Sequence, residues 1–220
     1  VCSSDLLDLR NNGGGALEDA KQMSGLFIKK GPIVQIKNHT GSIEVLSDTD
    51  SGIEYGGPLI VMINRFSASA SEILAGAMQD YGRAIIVGGE YSHGKGTVQA
   101  VLNLNQGPLM AMFGGKMGAL KLTIQKFYRI TGASTQYKGV TPNIIFPDPY
   151  GYTENREQDL DYSLKWDQVP SQKYAALNAK DLRIPLLKKR SEKRIKKDAR
   201  FKKIIKSTEY LVKRRKQTKV

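Results

Sequence analysis

Apolar and polar positions follow two periods along the first 150 residues of the chain. Short apolar runs bounded by turn residues predict strands, whereas apolar positions three and four residues apart predict amphipathic helices. A strand–helix–strand order implies right-handed crossovers and an α/β fold with a mixed sheet and crossover helices. The predicted strands are 6–9, 33–36, 43–45, 58–63, 83–87, 97–104 and 120–130, and the predicted helices are 16–27 and the stretch from the serines at 67–71 to Gly82.

The pattern changes after about residue 150, where charged and Pro-containing segments begin, and from about Tyr174 it predicts a Lys-rich helix. We therefore divide the chain into a core at 1–150 and a linker with a basic helical C-terminal extension at 151–220. At its start, an apolar strand tip at 6–9 runs directly into a Gly-rich turn. A domain rarely begins this way, so we expect the core to be N-terminally incomplete.

The net charge of +13 lies almost entirely in the tail. Of 34 basic and 21 acidic side chains, sixteen and three lie in 188–220, so the preceding 187 residues hold eighteen of each sign. The alternative hypothesis, a non-catalytic module that binds nucleic acid or an anionic membrane, depends on the charge of this tail alone. The tail offers only Phe201 and Tyr210 for stacking on bases, so nucleic acid is not the favoured partner.

Composition excludes several kinds of chemistry. Cys2 is the only cysteine, and His39 and His93 are far apart in the sequence, so neither a metal nor another cofactor is expected. No stretch approaches the roughly 18 apolar residues of a membrane span, and the first twenty residues hold no signal pattern. Any reaction must therefore use hydroxyls, amines, carboxylates or the backbone.

The serine cluster at 67–71 follows a predicted buried strand and opens a helix. Ser69 and Glu72 stand three residues apart, which is the spacing of a capping box and gives a purely structural interpretation. The same position places the Ser69 hydroxyl beside the N–H groups of a helix N-terminus, which stabilise a developing oxyanion. The pattern alone leaves capping and nucleophilic catalysis both open.

A serine nucleophile needs a base, and Lys95 is a better candidate than either histidine. It lies between Gly94 and Gly96 and heads a predicted strand, where Gln99 shares its face and is placed to orient its amine. Burial lowers the pKa of a lysine, so that the neutral amine can accept a proton.

A phosphate-binding loop is the competing interpretation of the same lysine. The segment 89–95 fits the first seven positions of that motif. Gly96 stands where the motif needs a hydroxyl, and the β-branched pattern that follows predicts a strand instead of the required helix. We therefore do not favour a nucleotide site.

Three motifs in this order resemble the tail-specific proteases, or C-terminal processing peptidases, of bacteria. They are Asp8-Leu9-Arg10-Asn11-Asn12-Gly13-Gly14-Gly15, Ser67-Ala68-Ser69-Ala70-Ser71-Glu72-Ile73 and Gly94-Lys95-Gly96-Thr97-Val98-Gln99. The resemblance continues through 124–129 and 138–142 and covers about residues 5–170. It implies a catalytic core like that of ClpP and the crotonases.

The resemblance implies a serine endopeptidase that acts through a Ser-Lys dyad and an acyl-enzyme. By motif position Ser69 is the nucleophile, Lys95 is the base and Gln99 is the residue that orients it. Neither a metal nor a cofactor is implied.

Four further residues receive roles by the same comparison. The oxyanion hole is implied to be the N–H of Ala70 with that of a glycine, which is Gly15 by motif position, with Gly14 as the alternative. Asp80 matches an acidic residue of the family. It lies about 16 Å along the helix axis from the nucleophile at 1.5 Å per residue, so we expect a structural role for it.

The family's partners and location follow only as expectations. Members act on proteins or peptides with apolar C-terminal tails and are periplasmic or membrane-associated. They carry a PDZ module upstream of the catalytic segment, and nothing in this chain corresponds to it. The loop before Lys95 is one residue longer than the family pattern, between Gly88 and Gly94.

Overall fold

The structure is a computed structural model that describes residues 5–105, 118–177 and 182–218. Within these residues the chain forms eight strands and four α-helices. The strands are β1 (Asp5–Asp8), β2 (Gly31–Asn38), β3 (Ile43–Asp48), β4 (Leu59–Ile63), β5 (Ile85–Gly88), β6 (Thr97–Asn103), β7 (Ala119–Tyr128) and β8 (Ile144–Ile145). The helices are α1 (Leu17–Gly25), α2 (Ala70–Asp80), α3 (Ile184–Lys197) and α4 (Ala199–Thr218).

The strands separate into two four-stranded sheets. One is parallel, with the order β1-β4-β5-β8, and the other is antiparallel, with the order β3-β2-β7-β6. Strand β5 is buried along its whole length, as expected for the apolar run of a central parallel strand. The α/β class predicted from the sequence is confirmed, and the parallel and antiparallel strands occupy separate sheets.

Helix α2 runs between the parallel strands β4 and β5 and packs into the main core. The face predicted for it, which includes Ile73, Leu74 and Met78, is buried as expected. Burial extends further, because Glu72 and Ala75 are fully covered as well. Ser71, Glu72 and Ile73 in the first turn of α2 are therefore covered by protein.

The antiparallel sheet presents its inner face to the same core. Phe127 and Tyr128, at the end of β7, are among the largest fully buried side chains of the described residues. The pairing of β6 with β7 shifts register between Val98 and Gln99, which marks a β-bulge. Strand β6 begins directly after Gly96, so the segment 89–95 does not open a helix as a phosphate-binding loop must.

The C-terminal extension packs against the parallel sheet. Its Ile184 and Leu187 cover a second apolar cluster formed by Ile85, Val87 and Ile144. The boundary predicted near residue 150 stays a prediction. None of the four α-helices in the described residues contains the long apolar run that a membrane span requires.

One prediction of secondary structure is corrected, and one strand is found that the sequence pattern does not predict. The Lys-rich helix begins at Ile184 and not near Tyr174, because Pro185 lies in its first turn, where a fixed φ and a missing N–H suit a helix start. Strand β8 was not predicted, since two residues are too few to show a period. Every predicted strand is present, with ends shifted by up to three residues.

Candidate active site

Ser69 occupies the turn between β4 and α2 in a conformation that residues other than glycine rarely adopt. Its φ is 57° and its ψ is −115° at the N-cap of α2. Such a backbone costs on the order of 1–3 kcal/mol and persists only where its surroundings hold it. Here the carboxylate of Glu72 accepts the N–H of Ser69 at 2.9 Å, which is the Glu72 half of the predicted capping box.

The other two serines of the cluster hold the turn in place. The Ser67 hydroxyl donates to the carbonyl of Leu9 at 2.7 Å, and the Ser71 hydroxyl donates to the carbonyl of Asn12 at 3.0 Å. Both serines are buried. Their hydroxyls tie α2 to the glycine-rich turn after β1, which leaves Ser69 as the serine of the cluster that lines a cavity with Lys95.

That cavity has a volume of about 290 Å³ and gathers most of the predicted site. Ser69 and Ala70 come from the start of α2, Gly15 from the turn before α1, and Lys95 and Gln99 from the loop and strand that follow β5. These residues lie far apart in the sequence. The fold brings them to one opening between the two sheets.

Lys95 is half-buried, and its surroundings destabilise the charged form of its amine. Burial lowers the pKa of Lys95 below its usual value, and the positive charge of Lys121 on β7 lowers it further. The carboxylates of Glu157 and Glu72 act in the opposite direction. The net lowering is what a general base at moderate pH requires.

A single buried carboxylate joins the nucleophile to the base. One oxygen of Glu72 accepts the N–H groups of both Ser69 and Lys95, each at 2.9 Å. The other oxygen accepts the N–H of Gly94 at 2.8 Å and the hydroxyl of Ser92. Burial raises the pKa of Glu72 to about 7, while these donors pull it down.

Sequence reasoning found only part of the role of Glu72. The spacing of three residues from Ser69 predicts the capping contact. The contacts with Gly94 and Lys95 join positions more than twenty residues apart, and no local pattern signals them.

Gly14 packs directly against the nucleophile turn. Its φ is +103°, and an added Cβ would lie 2.7 Å from the carbonyl oxygen of Ala68 and 3.0 Å from the nitrogen of Ala70. Its own N–H donates to the side chain of Asn12 at 2.9 Å. The N–H of Gly14 is therefore engaged, which favours Gly15 as the second oxyanion donor beside Ala70.

Gln99 and Asp80 lie in different surroundings. Gln99 is exposed on the wall of the cavity, and the bulge beside it interrupts the alternation from which its shared face with Lys95 was predicted. Asp80 is at the far end of α2, where both of its oxygens pair with Arg129. Burial raises the pKa of Asp80 and the guanidinium opposes this. The catalytic roles of all these residues stay predictions.

A smaller apolar cavity of about 170 Å³ adjoins the first one. The two cavities share Gly15, Ala16 and Ala70, so they flank the predicted oxyanion site from two sides. The apolar part of the second cavity is formed by Leu9, Ala20, Met23 and Leu74.

The α/β core places Ser69, at a strained helix start, in one cavity with the half-buried Lys95, and this arrangement suits a serine peptidase. The chain belongs to Peptidase family S41, whose model matches residues 3–146. A second model, the C-terminal domain of tail specific protease, matches residues 150–220.

Named relatives agree with this assignment. The chain is 46% identical over 205 residues to the tail-specific protease of Haemophilus influenzae, covering 89% of this chain and 28% of that protein. It is 41% identical over 145 residues to the carboxy-terminal-processing protease of Bartonella bacilliformis, covering 66% and 31%. The chain therefore spans about three tenths of the length of these relatives.

A solved structure shows the same fold. The photosystem II D1 C-terminal processing protease matches with a TM-score of 0.56 and 31% sequence identity, covering 69% of this chain and 36% of that chain.

Proposed function

We propose that this chain carries the catalytic centre of a serine endopeptidase that processes or degrades proteins from their C-terminal tails. The observation that carries the proposal is the cavity that unites Ser69, Lys95, Ala70 and Gly15. Family membership supports the reaction class, and the lowered pKa of Lys95 supports a lysine base. Ser69 is the nucleophile in this account.

Acylation begins when Oγ of Ser69 attacks the carbonyl carbon of a peptide bond as its proton passes to the neutral Nζ of Lys95. The carbonyl electron pair moves to the oxygen, which accepts the N–H groups of Ala70 and Gly15. The C–N bond then breaks, and the departing amine takes the proton from Lys95. The product is an ester of Ser69.

Deacylation repeats these steps with water. Lys95 takes a proton from the water as its oxygen attacks the ester carbon, and the same two N–H groups hold the oxyanion. When the ester bond breaks, Ser69 recovers its proton from Lys95 and the new C-terminal acid is released. Gln99 lines the same cavity as Lys95 and is the residue we assign to orient its amine, and Asp80 supports α2 through Arg129.

Apolar substrates fit the second cavity. A side chain next to the scissile carbonyl lies beside the oxyanion site, and the apolar wall of Ala20, Met23 and Leu74 stands there. The names of the relatives support C-terminal tails as the part of the substrate that is recognised. A PDZ module upstream, a periplasmic location and association with a membrane belong to the same proposal.

The experiment is a set of three alanine variants assayed on an unfolded protein substrate. We expect Ser69→Ala to abolish peptidase activity, and Ser67→Ala and Ser71→Ala to retain a substantial part of it. The last two lose a structural hydrogen bond, which costs about 1–3 kcal/mol of stability where a buried partner is left unpaired. Melting curves separate that loss from a loss of chemistry. Full activity in Ser69→Ala contradicts the proposal.

A further inference from the structure

The loop that carries Lys95 is held from two sides. Glu72 of α2 holds one side through the N–H groups of Gly94 and Lys95. On the other side the N–H of Gly96 donates to the side-chain oxygen of Gln136 at 2.7 Å. Gln136 is fully buried, so its amide orientation is set by the groups around it.

On the side of Gly96, Gln136 connects the loop to Glu157. The amide nitrogen of Gln136 donates to Oε1 of Glu157 at 2.9 Å, and Oε2 of Glu157 lies 3.6 Å from Nε2 of His93. The backbone closes the same unit, because the N–H of Glu157 donates to the carbonyl of His93 at 3.0 Å. Glu157 thus contacts the Lys95 loop two residues before the lysine and, through Gln136, one residue after it.

Arg156 anchors Glu157 to the same loop. Its guanidinium donates to the carbonyls of Ser92 at 3.3 Å and Lys138 at 2.9 Å, and it lies 4.4 Å from the ring centre of Tyr91. Arg156 is buried although these partners are neutral, and burial lowers its pKa. Because the buried guanidinium donates to backbone carbonyls, it fixes the position of the chain around Arg156 relative to the Lys95 loop.

Arg156 and Glu157 lie outside residues 3–146, the part of the chain that matches Peptidase family S41. Residues 156 and 157 lie in the part matched by the C-terminal domain of tail specific protease, which begins at residue 150. We propose that Glu157 is a positioning residue for Lys95, so that this C-terminal region completes the base side of the active site. The inference rests on the proposed function, because it requires Lys95 to act as the base.

The charge of Glu157 also affects the pKa of Lys95. Lys95 faces Glu72 from α2, Lys121 from β7 and Glu157 from the short 3-10 helix Glu157–Asp159, with His93 on its own loop. The negative charge of Glu157 raises the pKa of Lys95 and so opposes the effects of burial and Lys121. Glu157 also raises the pKa of His93, while its own pKa is lowered chiefly by the contact with His93.

The test uses Glu157→Ala and Glu157→Gln in the full-length protein, with kcat and KM measured separately on a peptide substrate. Glu157→Ala removes the side-chain contacts with Gln136 and His93 and so loosens the Lys95 loop on that side. We expect kcat to fall about 10- to 100-fold while KM stays nearly constant. Glu157→Gln keeps an oxygen for Gln136 but removes the charge. Because the charge of Glu157 raises the pKa of Lys95, we expect the rising limb of the pH profile of kcat/KM to move to lower pH in Glu157→Gln.

Glu90→Gln is the matched control, because Glu90 is an exposed carboxylate on the same loop and its loss changes the net charge equally. The pH profile of kcat/KM for Glu90→Gln should coincide with that of the wild type. A merely structural role of Glu157 would lower the melting temperature without moving the limb.

A wild-type kcat in Glu157→Ala, or an unmoved limb in Glu157→Gln, overturns the inference. If Glu157→Ala does not fold, the position of the rising limb in the pH profile of Glu157→Gln tests the inference alone. If the wild-type activity itself does not depend on Ser69 and Lys95, the proposed function fails instead, and the two failures are thereby distinguished.

Discussion

At the residue scale, the proposed mechanism requires that Lys95 lose its proton more readily than a lysine in water. Burial is the largest cause of its lowered pKa, and Lys121 adds to it. The base must be neutral, so kcat/KM should rise as pH increases through this lowered pKa and level off above it. The expected midpoint therefore lies below the pKa of about 10.4 of a free lysine.

Lys95→Arg separates a base from a fixed positive charge. Arginine keeps the charge but does not release a proton near neutral pH. We expect Lys95→Arg to be as inactive as Lys95→Ala on an unfolded protein substrate, with circular dichroism confirming that both fold. An arginine variant that keeps most of the activity would show that the residue acts only as a charge, and His93 would become the candidate base.

Local sequence indicates a helix start at Ser69 and a glycine-flanked lysine at Lys95, but it leaves the roles of both residues open. The resemblance of three motifs to the tail-specific proteases assigns those roles, and neither source reveals which contacts hold the two residues. The unusual φ of Ser69 and the joint hold of Glu72 on Ser69 and Lys95 depend on contacts between distant segments. One sequence shows no such pairing, so these features appeared only in the fold.

At the element scale, the turn after β1 and the start of α2 must approach closely to form the proposed oxyanion site. Gly14→Ala tests this approach, since the new Cβ would meet backbone atoms at 2.7 Å and 3.0 Å and the φ of +103° strains any other residue. We expect a lower melting temperature and a strong loss of kcat.

Gly13→Ala is the control, because an added Cβ there meets nothing within 4 Å. Its kcat and melting temperature should stay close to the wild-type values. Equal behaviour of the Gly14 and Gly13 variants would argue against a close approach of the turn to α2.

Periodicity predicted most elements because each strand buries one face or both. It failed where an element is too short or its alternation is interrupted. Strand β8 has two residues, and the bulge at Val98 and Gln99 changes the face of every residue after it. Bulges are set by pairing with a neighbouring strand, so a pattern of period two does not reveal them.

At the scale of the whole molecule, the C-terminal helices are packed onto the core, while many of their basic side chains are exposed. Phe201 of α4 stacks on Phe146 with ring centres 6.0 Å apart, and the Thr208 hydroxyl donates to the carbonyl of Asp148 at 3.2 Å. Lys202, Lys206 and Lys213 are exposed on α4. The tail therefore combines a structural inner face with a basic outer one.

Truncation of the full-length protein before Lys188 removes these contacts but keeps Ser69, Lys95 and Glu157. We expect a lower melting temperature, because part of the apolar surface around Phe146 becomes exposed. We also expect Ser69 to remain reactive toward a small serine-directed probe wherever circular dichroism shows a folded protein. A folded truncation that does not react, beside an intact protein that does, would place the tail within the active site.

The most direct measurement is the labelling of the intact protein by a small serine-directed phosphonylating probe, followed by peptide mass spectrometry. The account predicts one adduct, located on Ser69, that is absent in Ser69→Ala and strongly slowed in Lys95→Arg. Labelling of another hydroxyl, or an unchanged labelling rate in Lys95→Arg, would contradict the assignment of Ser69 as nucleophile and Lys95 as its base.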